Sequence, residues 1–178
     1  MRNLLKHYIS TLVIACGLFV IPLLAQAEEG TVKILAPWKA KGQVYKVGPK
    51  QTQFVGEFSG IMYVENGEGK LDTAIFVCPA VQDVDYKNNK SHANGRCHIV
   101  AADGNIFAQF DCTGVPGACK GTFKLTGGTD RFEGITGSGE MHVRSALSTF
   151  MSNVTSGDVV QEAEGLATWP ALKYKIPE

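Results

Sequence analysis

The sequence LTGGTDRFEGITGSG, residues 125–139, contains five glycines in fifteen positions. It joins two runs with the composition of β-strands, Gly121–Thr126 and Gly139–Phe150. Glycine adopts positive φ at little steric cost, so glycines between strands indicate a sharply turned corner. Their spacing, with no helical pattern after them, does not fit a phosphate-binding loop. The segment therefore predicts a β-structure with a shaped corner.

Short runs rich in β-branched and aromatic residues continue in both directions from this corner, and no convincing amphipathic helix accompanies them. Many short strands separated by turn residues predict an all-β barrel or sandwich. A long polar stretch, Pro79–Asn94, is predicted to be a mobile surface loop. The predicted strands are Thr31–Ala36, Gln43–Val47, Gln53–Glu65, Leu71–Cys78, Arg96–Ala102, Ile106–Cys112, Gly121–Thr126, Gly139–Phe150 and Val159–Trp169.

One hairpin can be predicted in detail. Asp103-Gly104 separates two of the runs and is a favoured two-residue turn. With that loop, Cys97 would pair with Phe110. One face of the hairpin would then be apolar and the other polar, and a slip of one residue would exchange the faces, so we expect the apolar face to meet the core. The apolar face contains Cys97, Ile99, Ala101, Ile106, Ala108, Phe110 and Cys112.

The N-terminal residues have the features of an export signal. Basic residues precede an apolar run, Thr11–Ala25, and Ala25-Gln26-Ala27 has the form of an A-x-A cleavage site. The run is shorter than the ~20 residues that a membrane-spanning helix needs. We therefore expect a cleaved signal helix over residues 1–27, a single β-barrel domain over residues 28–178, no membrane span after cleavage, and a periplasmic or secreted location.

The charge of the chain argues against nucleic acid as a partner. The chain has 17 basic and 17 acidic residues, and two of the basic residues, Arg2 and Lys6, lie in the predicted leader. The remaining domain is therefore slightly acidic, and it has no basic stripe of the kind that binds a phosphate backbone.

Four cysteines follow the leader: Cys78, Cys97, Cys112 and Cys119. An even number behind an export signal predicts two disulfides. Zinc is the alternative, but C-x2-C and H-x3-H spacings are missing, so no metal site is predicted. Turn residues between Cys112 and Cys119 favour that pair and leave Cys78 with Cys97, although loop entropy alone does not choose among the three possible pairings.

The string LTGGTDRFEGITGSGEM, residues 125–141, resembles the T-G-G-(S/T)-G-x-F-x-G-x-x-G signature of allene oxide cyclases and the looser G-G-T-G-x-F-x-x-A-x-G element of dirigent proteins. Both belong to the allene-oxide-cyclase-like barrel superfamily, and the chain is similar to exported bacterial proteins with the same corner and cysteines. The resemblance implies an eight-stranded antiparallel β-barrel that forms a trimer or dimer, with one of the nine runs an extension or a loop. The corner residues are Gly127, Gly128, Phe132, Gly134, Gly137 and Gly139.

The chain departs from these families in two respects. Asp130 stands where the motif has glycine, and aspartate tolerates left-handed backbone better than most residues. The catalytic glutamate and asparagine of the cyclases, and the arginine and aspartate motifs of dirigent pockets, have no recognisable counterpart. The resemblance therefore supplies no catalytic residue.

Candidate functional residues are few. Glu57 is the candidate acid or base, because a barrel cyclase needs a carboxylate in an apolar pocket; the alternative is that it faces water. His98 and His142 would form a metal-binding or proton-transferring pair, or would be two solvated strand histidines. Four aromatic residues are candidates for a ligand-binding barrel mouth, or else belong to the core or an interface: Trp38, Tyr45, Tyr63 and Trp169.

Three functions are consistent with these features. The first is an exported, disulfide-stabilised barrel that binds a small apolar molecule and needs no cofactor, because eight strands leave room for side chains or one small ligand. The second is a cyclase- or isomerase-type enzyme, and the third is a structural or interaction protein of the cell envelope. An open cavity without a buried ionisable group would favour the first, a buried glutamate the second, and a filled interior the third.

Overall fold

A computed structural model, which describes residues 27–146 and 163–178, forms a closed barrel of eight antiparallel strands in sequence order. The strands are β1 (Glu28–Gly48), β2 (Gln51–Val64), β3 (Ala74–Asp85), β4 (Lys90–Ala101), β5 (Gly104–Val115), β6 (Ala118–Gly128), β7 (Thr136–Ser145) and β8 (Ala163–Ile176). Pairing of β8 with β1 closes the barrel. The predicted all-β, eight-stranded antiparallel barrel is confirmed; the predicted signal helix, the end of the eighth predicted run and the start of the ninth lie outside the described residues.

The first two predicted runs belong to one strand, β1, which is 21 residues long. The segment between them contains Pro37, Lys39 and Lys41, a composition that resembles a loop in the sequence. In the barrel its alternate residues Ala36, Trp38 and Ala40 point inward and are buried. The polar residues occupy the outer face, so the two-residue alternation of a strand continues through this segment.

The prediction of a mobile loop over Pro79–Asn94 is wrong. β3 continues to Asp85, β4 begins at Lys90, and only the four residues between them form a turn. The Asp85 carboxylate accepts hydrogen bonds from the backbone N–H groups of Lys87 and Asn88, at 2.9 and 3.1 Å. Small or apolar side chains still point inward on both strands, and the polar composition of this segment comes from its outer face.

The β4–β5 hairpin has the predicted faces but a register that differs by two residues. Cys97 pairs with Ala108 instead of Phe110, and Ala102 and Asp103 form the turn. Gly104 is the first residue of β5, where an added Cβ would lie 2.6 Å from the carbonyl oxygen of Thr129. Only glycine fits against the corner at this point, and a shift of two residues preserves which side chains face the core.

The glycine corner closes one end of the barrel, which we call the closed end. A single 3₁₀ turn, Asp130–Phe132, follows β6. Asp130 has φ of 54° and Gly134 has φ of 70°, so the aspartate adopts the left-handed backbone expected of it. Phe132 and Ile135 are each 1% exposed and belong to the barrel core. The corner therefore works as an apolar plug.

Both predicted disulfides are present. Cys78–Cys97 joins β3 to β4, and Cys112–Cys119 joins β5 to β6 across the turn at Pro116-Gly117. All four cysteines point into the barrel, and two disulfides indicate an oxidising, extracytoplasmic environment. Across the two described ranges, 27–146 and 163–178, none of the helices has the length and apolarity that a bilayer crossing requires.

Candidate ligand cavity

A cavity lies inside the barrel on the side away from the closed end. It extends toward the end of the barrel at which β5 is joined to β6, an end that we call the mouth, and Gly117, Ala118 and Ser145 are the described residues that line it there. About 70 Å³ is open to the centres of water-sized molecules, within a space of about 720 Å³ that continues into solvent. A single water needs roughly 10–15 Å³ of volume that is open to its centre, so the cavity accommodates more than isolated waters.

Aromatic side chains form two walls of this cavity. Trp38 packs edge-on against Phe58, with ring centroids 5.2 Å apart. Trp169 packs edge-on against Phe123, with centroids 5.0 Å apart. Such perpendicular arrangements place a ring edge against a ring face, which is the favourable electrostatic geometry. The two pairs hold both tryptophans of the chain in defined positions around the space.

Two glycines flank Trp38 on the neighbouring strands, and one of them makes room for its ring. Its residue pairs with Gly60 of β2 on one side and with Gly165 of β8 on the other. A Cβ on Gly165 would overlap Cζ2 of the Trp38 ring, so the indole lies against bare backbone of β8. The sequence signal for this arrangement exists only as two glycines far apart in the chain, and sequence reasoning did not connect them to Trp38.

The indole N–H groups of both tryptophans are buried without an acceptor. Trp38 is 5% exposed and Trp169 is 3% exposed. Neither Nε1 atom has a hydrogen-bond partner among the described residues. Each nitrogen is closed off from both the cavity and bulk solvent by the atoms around it.

The remaining polar groups of the cavity lie toward its mouth. Gln82 Nε2 donates a hydrogen bond to Ser91 Oγ at 2.9 Å, and Ser91 is 5% exposed. Ser145 also lines the space. Among the described lining residues there is no carboxylate, imidazole, amine or guanidinium group. The interior is therefore apolar, uncharged and provided with a few neutral hydrogen-bonding groups.

The structure separates the four aromatic candidates into two pairs. Trp38 and Trp169 line the cavity. Tyr45 and Tyr63 are 50% and 43% exposed and point outward, because they have the opposite strand parity to the inward residues of β1 and β2. Neither tyrosine lines the cavity.

Glu57 does not occupy an apolar pocket. Its neighbours in β2, Gly56 and Phe58, are at positions that face the interior of the barrel. Because positions alternate along a strand, the side chain of Glu57 lies on the exposed outer face of β2. Its residue pairs with Lys41 of β1 and Pro79 of β3 on that face. A carboxylate in this position does not reach the interior of the barrel.

His98 and His142 do not form a pair, because β5 and β6 lie between their strands. His98 Nε2 is 2.9 Å from Asn105 Oδ1, and its ring stacks on Phe107. His142 Nε2 is 2.9 Å from Glu140 Oε1. Within residues 27–146 and 163–178, no three His, Cys, Asp or Glu side chains cluster in a way that would hold a metal ion.

Ionisable groups are instead concentrated on the outside, and one cluster braces the closed end. Arg131 of the corner forms an ion pair with Glu28 at the start of β1, and Tyr174 Oη donates a hydrogen bond to Glu28 Oε1 at 3.3 Å. Burial raises the pKa of Tyr174, and the negative charge of Glu28 raises it further. These contacts connect the corner to the strand pair that closes the barrel.

Comparisons with known proteins identify no family for the chain. No family model and no curated protein sequence matches the chain. Among solved structures, a pyocyanin demethylase is similar with a TM-score of 0.40 and 20% sequence identity, over 78% of this chain and 98% of that chain. A likeness this weak carries no argument about function.

Proposed function

We propose that this protein is an exported barrel that binds one small apolar molecule in the cavity between Trp38 and Trp169. The observation that carries the proposal is an aromatic cavity whose described lining has no ionisable side chain. Binding sites for small molecules are concave, mostly apolar, and supplied with a few convergent polar groups. The cavity has each of these properties.

Binding explains the arrangement better than acid–base catalysis does. A cyclase or isomerase of this shape needs a carboxylate or imidazole with a perturbed pKa beside its substrate. Glu57 and both strand histidines face outward, away from the cavity. An apolar, uncharged interior favours sequestration or transport of a molecule that is poorly soluble in water.

The relation to allene-oxide-cyclase-like barrels belongs to this proposal. Its support is local: the corner places Phe132 in the core, and Asp130 adopts the left-handed conformation of the glycine that it replaces. The trimer or dimer that the resemblance implies stays a prediction, as does the periplasmic or secreted location.

The size of the cavity sets the scale of the expected affinity. A nine-atom apolar molecule that buries roughly 150 Å² of its surface gains about 4 kcal/mol at ~25 cal/mol per Å². The loss of translational and rotational freedom on binding offsets part of this gain, so the Kd of such a molecule should be about 1 mM or weaker. A natural ligand that fills the space up to the mouth would bind more tightly.

The experiment is an NMR titration of the ¹⁵N-labelled domain, residues 28–178, with acetophenone, a neutral aromatic molecule of the same size that is much more soluble in water than a hydrocarbon. We expect saturable shifts of resonances from Trp38, Phe123 and Trp169. Ala93→Leu places three more carbon atoms at a buried lining position and should weaken binding at least tenfold. Ala102→Leu, the same change in the exposed β4–β5 turn, should leave binding unchanged. Shifts that are unsaturable, or equal in both variants, would disprove cavity binding.

A further inference from the structure

We infer that an apolar surface on the outside of the barrel, which we call the apolar belt, is the surface through which copies of this chain associate. The belt lies on five successive strands, β1–β5, and faces away from the cavity. The inference therefore goes beyond the proposed function and does not depend on it. The belt consists of the exposed side chains Leu35, Ile61, Tyr63, Ile75, Val77, Val100 and Phe107.

The strand register makes the side chains of the first four strands neighbours. Leu35 of β1 pairs with Tyr63 of β2. Ile61, two residues before Tyr63 on the same face, pairs with Ile75 of β3, and Ile75 pairs with Val100 of β4. Directly paired residues on one face have Cβ atoms about 4.5–5.5 Å apart, so these side chains form one continuous surface.

The imidazole of His98 continues this surface to β5. His98 pairs with Val77 of β3 on one side and with Phe107 of β5 on the other. Its ring stacks on that of Phe107, with centroids 5.5 Å apart. The belt therefore extends without interruption from β1 to β5.

The other three strands have a different outer surface. Among the described residues of β6, β7 and β8, no large hydrophobic side chain is exposed. The seven belt residues together expose roughly 600 Å², which is the upper end of the range for the largest apolar patch on a typical monomer. The apolar surface is thus concentrated on one part of the barrel, as in proteins that use such a patch for association.

The area of the belt is what an interface between two chains requires. A standard interface buries about 800 Å² of each partner. Homodimer interfaces are about 65% apolar, so roughly 600 Å² of apolar surface corresponds to an interface of about 900 Å² on each chain. The belt therefore supplies enough apolar surface for one stable contact with a second copy.

The charges in and around the belt do not oppose contact between identical surfaces. Among the described residues, the belt contains no carboxylate, amine or guanidinium group. Two ion pairs at its edge, Lys33–Glu65 and Lys70–Asp103, are each neutral as a pair, with N–O distances of 3.2 Å. Two copies of the belt can therefore meet without juxtaposing like charges, which would cost several kcal/mol.

A membrane is the alternative occupant of an apolar outer surface. Proteins that lie on membranes combine apolar side chains with neighbouring lysines and arginines that contact anionic lipids. Three exposed lysines, Lys120 and Lys124 of β6 and Lys173 of β8, instead project from the part of the barrel away from the belt. A membrane at the belt would hold these charges away from its surface, so the charge distribution favours a second copy.

Association through the belt leaves the cavity accessible. The belt residues of β2 and β4 approach the turns that follow these strands, at the same end of the barrel as the glycine corner. The mouth is at the other end. Assembly and ligand binding can therefore be measured independently of each other.

Sedimentation velocity of residues 28–178 under non-reducing conditions, over a range of micromolar concentrations, tests the inference. Interfaces of this size have Kd values from micromolar to picomolar, so we expect the wild-type protein to sediment as a species of at least two chains. Val100→Lys places an amine within the belt and should weaken association about a hundredfold or more, because the charge would be buried without a partner. Val115→Lys makes the same change at the mouth end, where the residue is 44% exposed against 47% for Val100, and should sediment like the wild type.

Four outcomes would overturn the inference. The first is a wild-type protein that sediments as a single chain at every concentration. The second is a folded Val100→Lys variant that associates as tightly as Val115→Lys, because assembly would then use another surface. Far-UV circular dichroism checks the fold of both variants. If Val100→Lys does not fold, Ile75→Thr, which keeps a β-branched side chain on β3, should also weaken association, and the third outcome is that it does not. The fourth is single chains that co-sediment with vesicles of phosphatidylcholine and phosphatidylglycerol, which would assign the belt to a membrane.

Discussion

Replacement of Phe132 by alanine should remove the plug that closes one end of the barrel. Phe132 is 1% exposed and lies in the 3₁₀ turn of the glycine corner. Phe107 provides a matched control, because it is the same residue type at 43% exposure on the outer face of β5. The two substitutions remove the same atoms from opposite sides of the sheet.

The expected costs follow from the buried area. The phenyl group accounts for roughly 150 Å² of apolar surface, which at ~25 cal/mol per Å² gives about 4 kcal/mol for Phe132→Ala. This value is consistent with the ~3–5 kcal/mol typical of core Phe→Ala changes, which also includes a term for the residual cavity. For Phe107→Ala only the buried half of that area counts, so we expect about 2 kcal/mol and no cavity term.

Equilibrium urea unfolding under non-reducing conditions measures both free energies, with tryptophan fluorescence as the signal. With m of about 2 kcal/mol per M, the midpoint should fall by about 2 M for Phe132→Ala and about 1 M for Phe107→Ala. Equal shifts, or a larger shift for Phe107→Ala, would refute the assignment of the corner as an interior plug.

Three further predictions concern the disulfides, the cavity and the alkaline pH range. The double substitution Cys112→Ser/Cys119→Ser should lower the unfolding free energy by about 2.5 kcal/mol through loop entropy, and a urea midpoint equal to that of the disulfide-bonded protein would contradict this. An added Cβ on Gly165 would overlap the backbone carbonyl oxygen of Arg144 and Cζ2 of Trp38, so Gly165→Ala should shift β8 against β7, displace the Trp38 ring and weaken acetophenone binding at least tenfold by NMR titration; unchanged affinity would show that this wall does not shape the cavity. Burial and the neighbouring carboxylate of Glu28 raise the pKa of Tyr174, so the folded protein retains this proton at a pH where the unfolded chain, near its ordinary value of 10, loses it. The resulting contribution to stability is complete below pH 10 and is lost as pH rises through the raised pKa of Tyr174. Tyr174→Phe should therefore make the melting temperature fall less steeply between pH 9 and 11.5. If the melting temperatures of variant and wild type fall in parallel, Tyr174 does not have the raised pKa.

The fold could be predicted because its determinants are local. Inward and outward side chains alternate along each strand, and this pattern identified the core face of the β4–β5 hairpin. The corner was recognisable from its glycines and Phe132, and the turn residues beside Cys112 indicated its partner. Each of these signals lies within one or two adjacent elements of the chain.

The register and the loop predictions failed where distant contacts decide. Gly104 enters β5 because Thr129 of the corner leaves no room for a side chain there. The segment Pro79–Asn94 has a polar outer face that conceals its small inward residues, so its average composition resembles a loop. Neither effect can be read from a short window of sequence.

The candidate site was predicted only in part. Trp38 and Trp169 were identified as aromatic candidates, but the position of the Trp38 ring depends on Gly165, a glycine of another strand. The outward position of Glu57 was already indicated by its alternation with Phe54 and Phe58. The burial of both indole N–H groups without an acceptor among residues 27–146 and 163–178 could not be predicted, because it is a property of the assembled barrel.

Native mass spectrometry of the protein purified from its own host tests the central claim most directly. The account predicts a single neutral small molecule bound with 1:1 stoichiometry, present in the wild-type protein and in Ala102→Leu, and absent from Ala93→Leu. A wild-type protein that carries no molecule, or an adduct that Ala93→Leu retains in full, would contradict a ligand held inside the barrel.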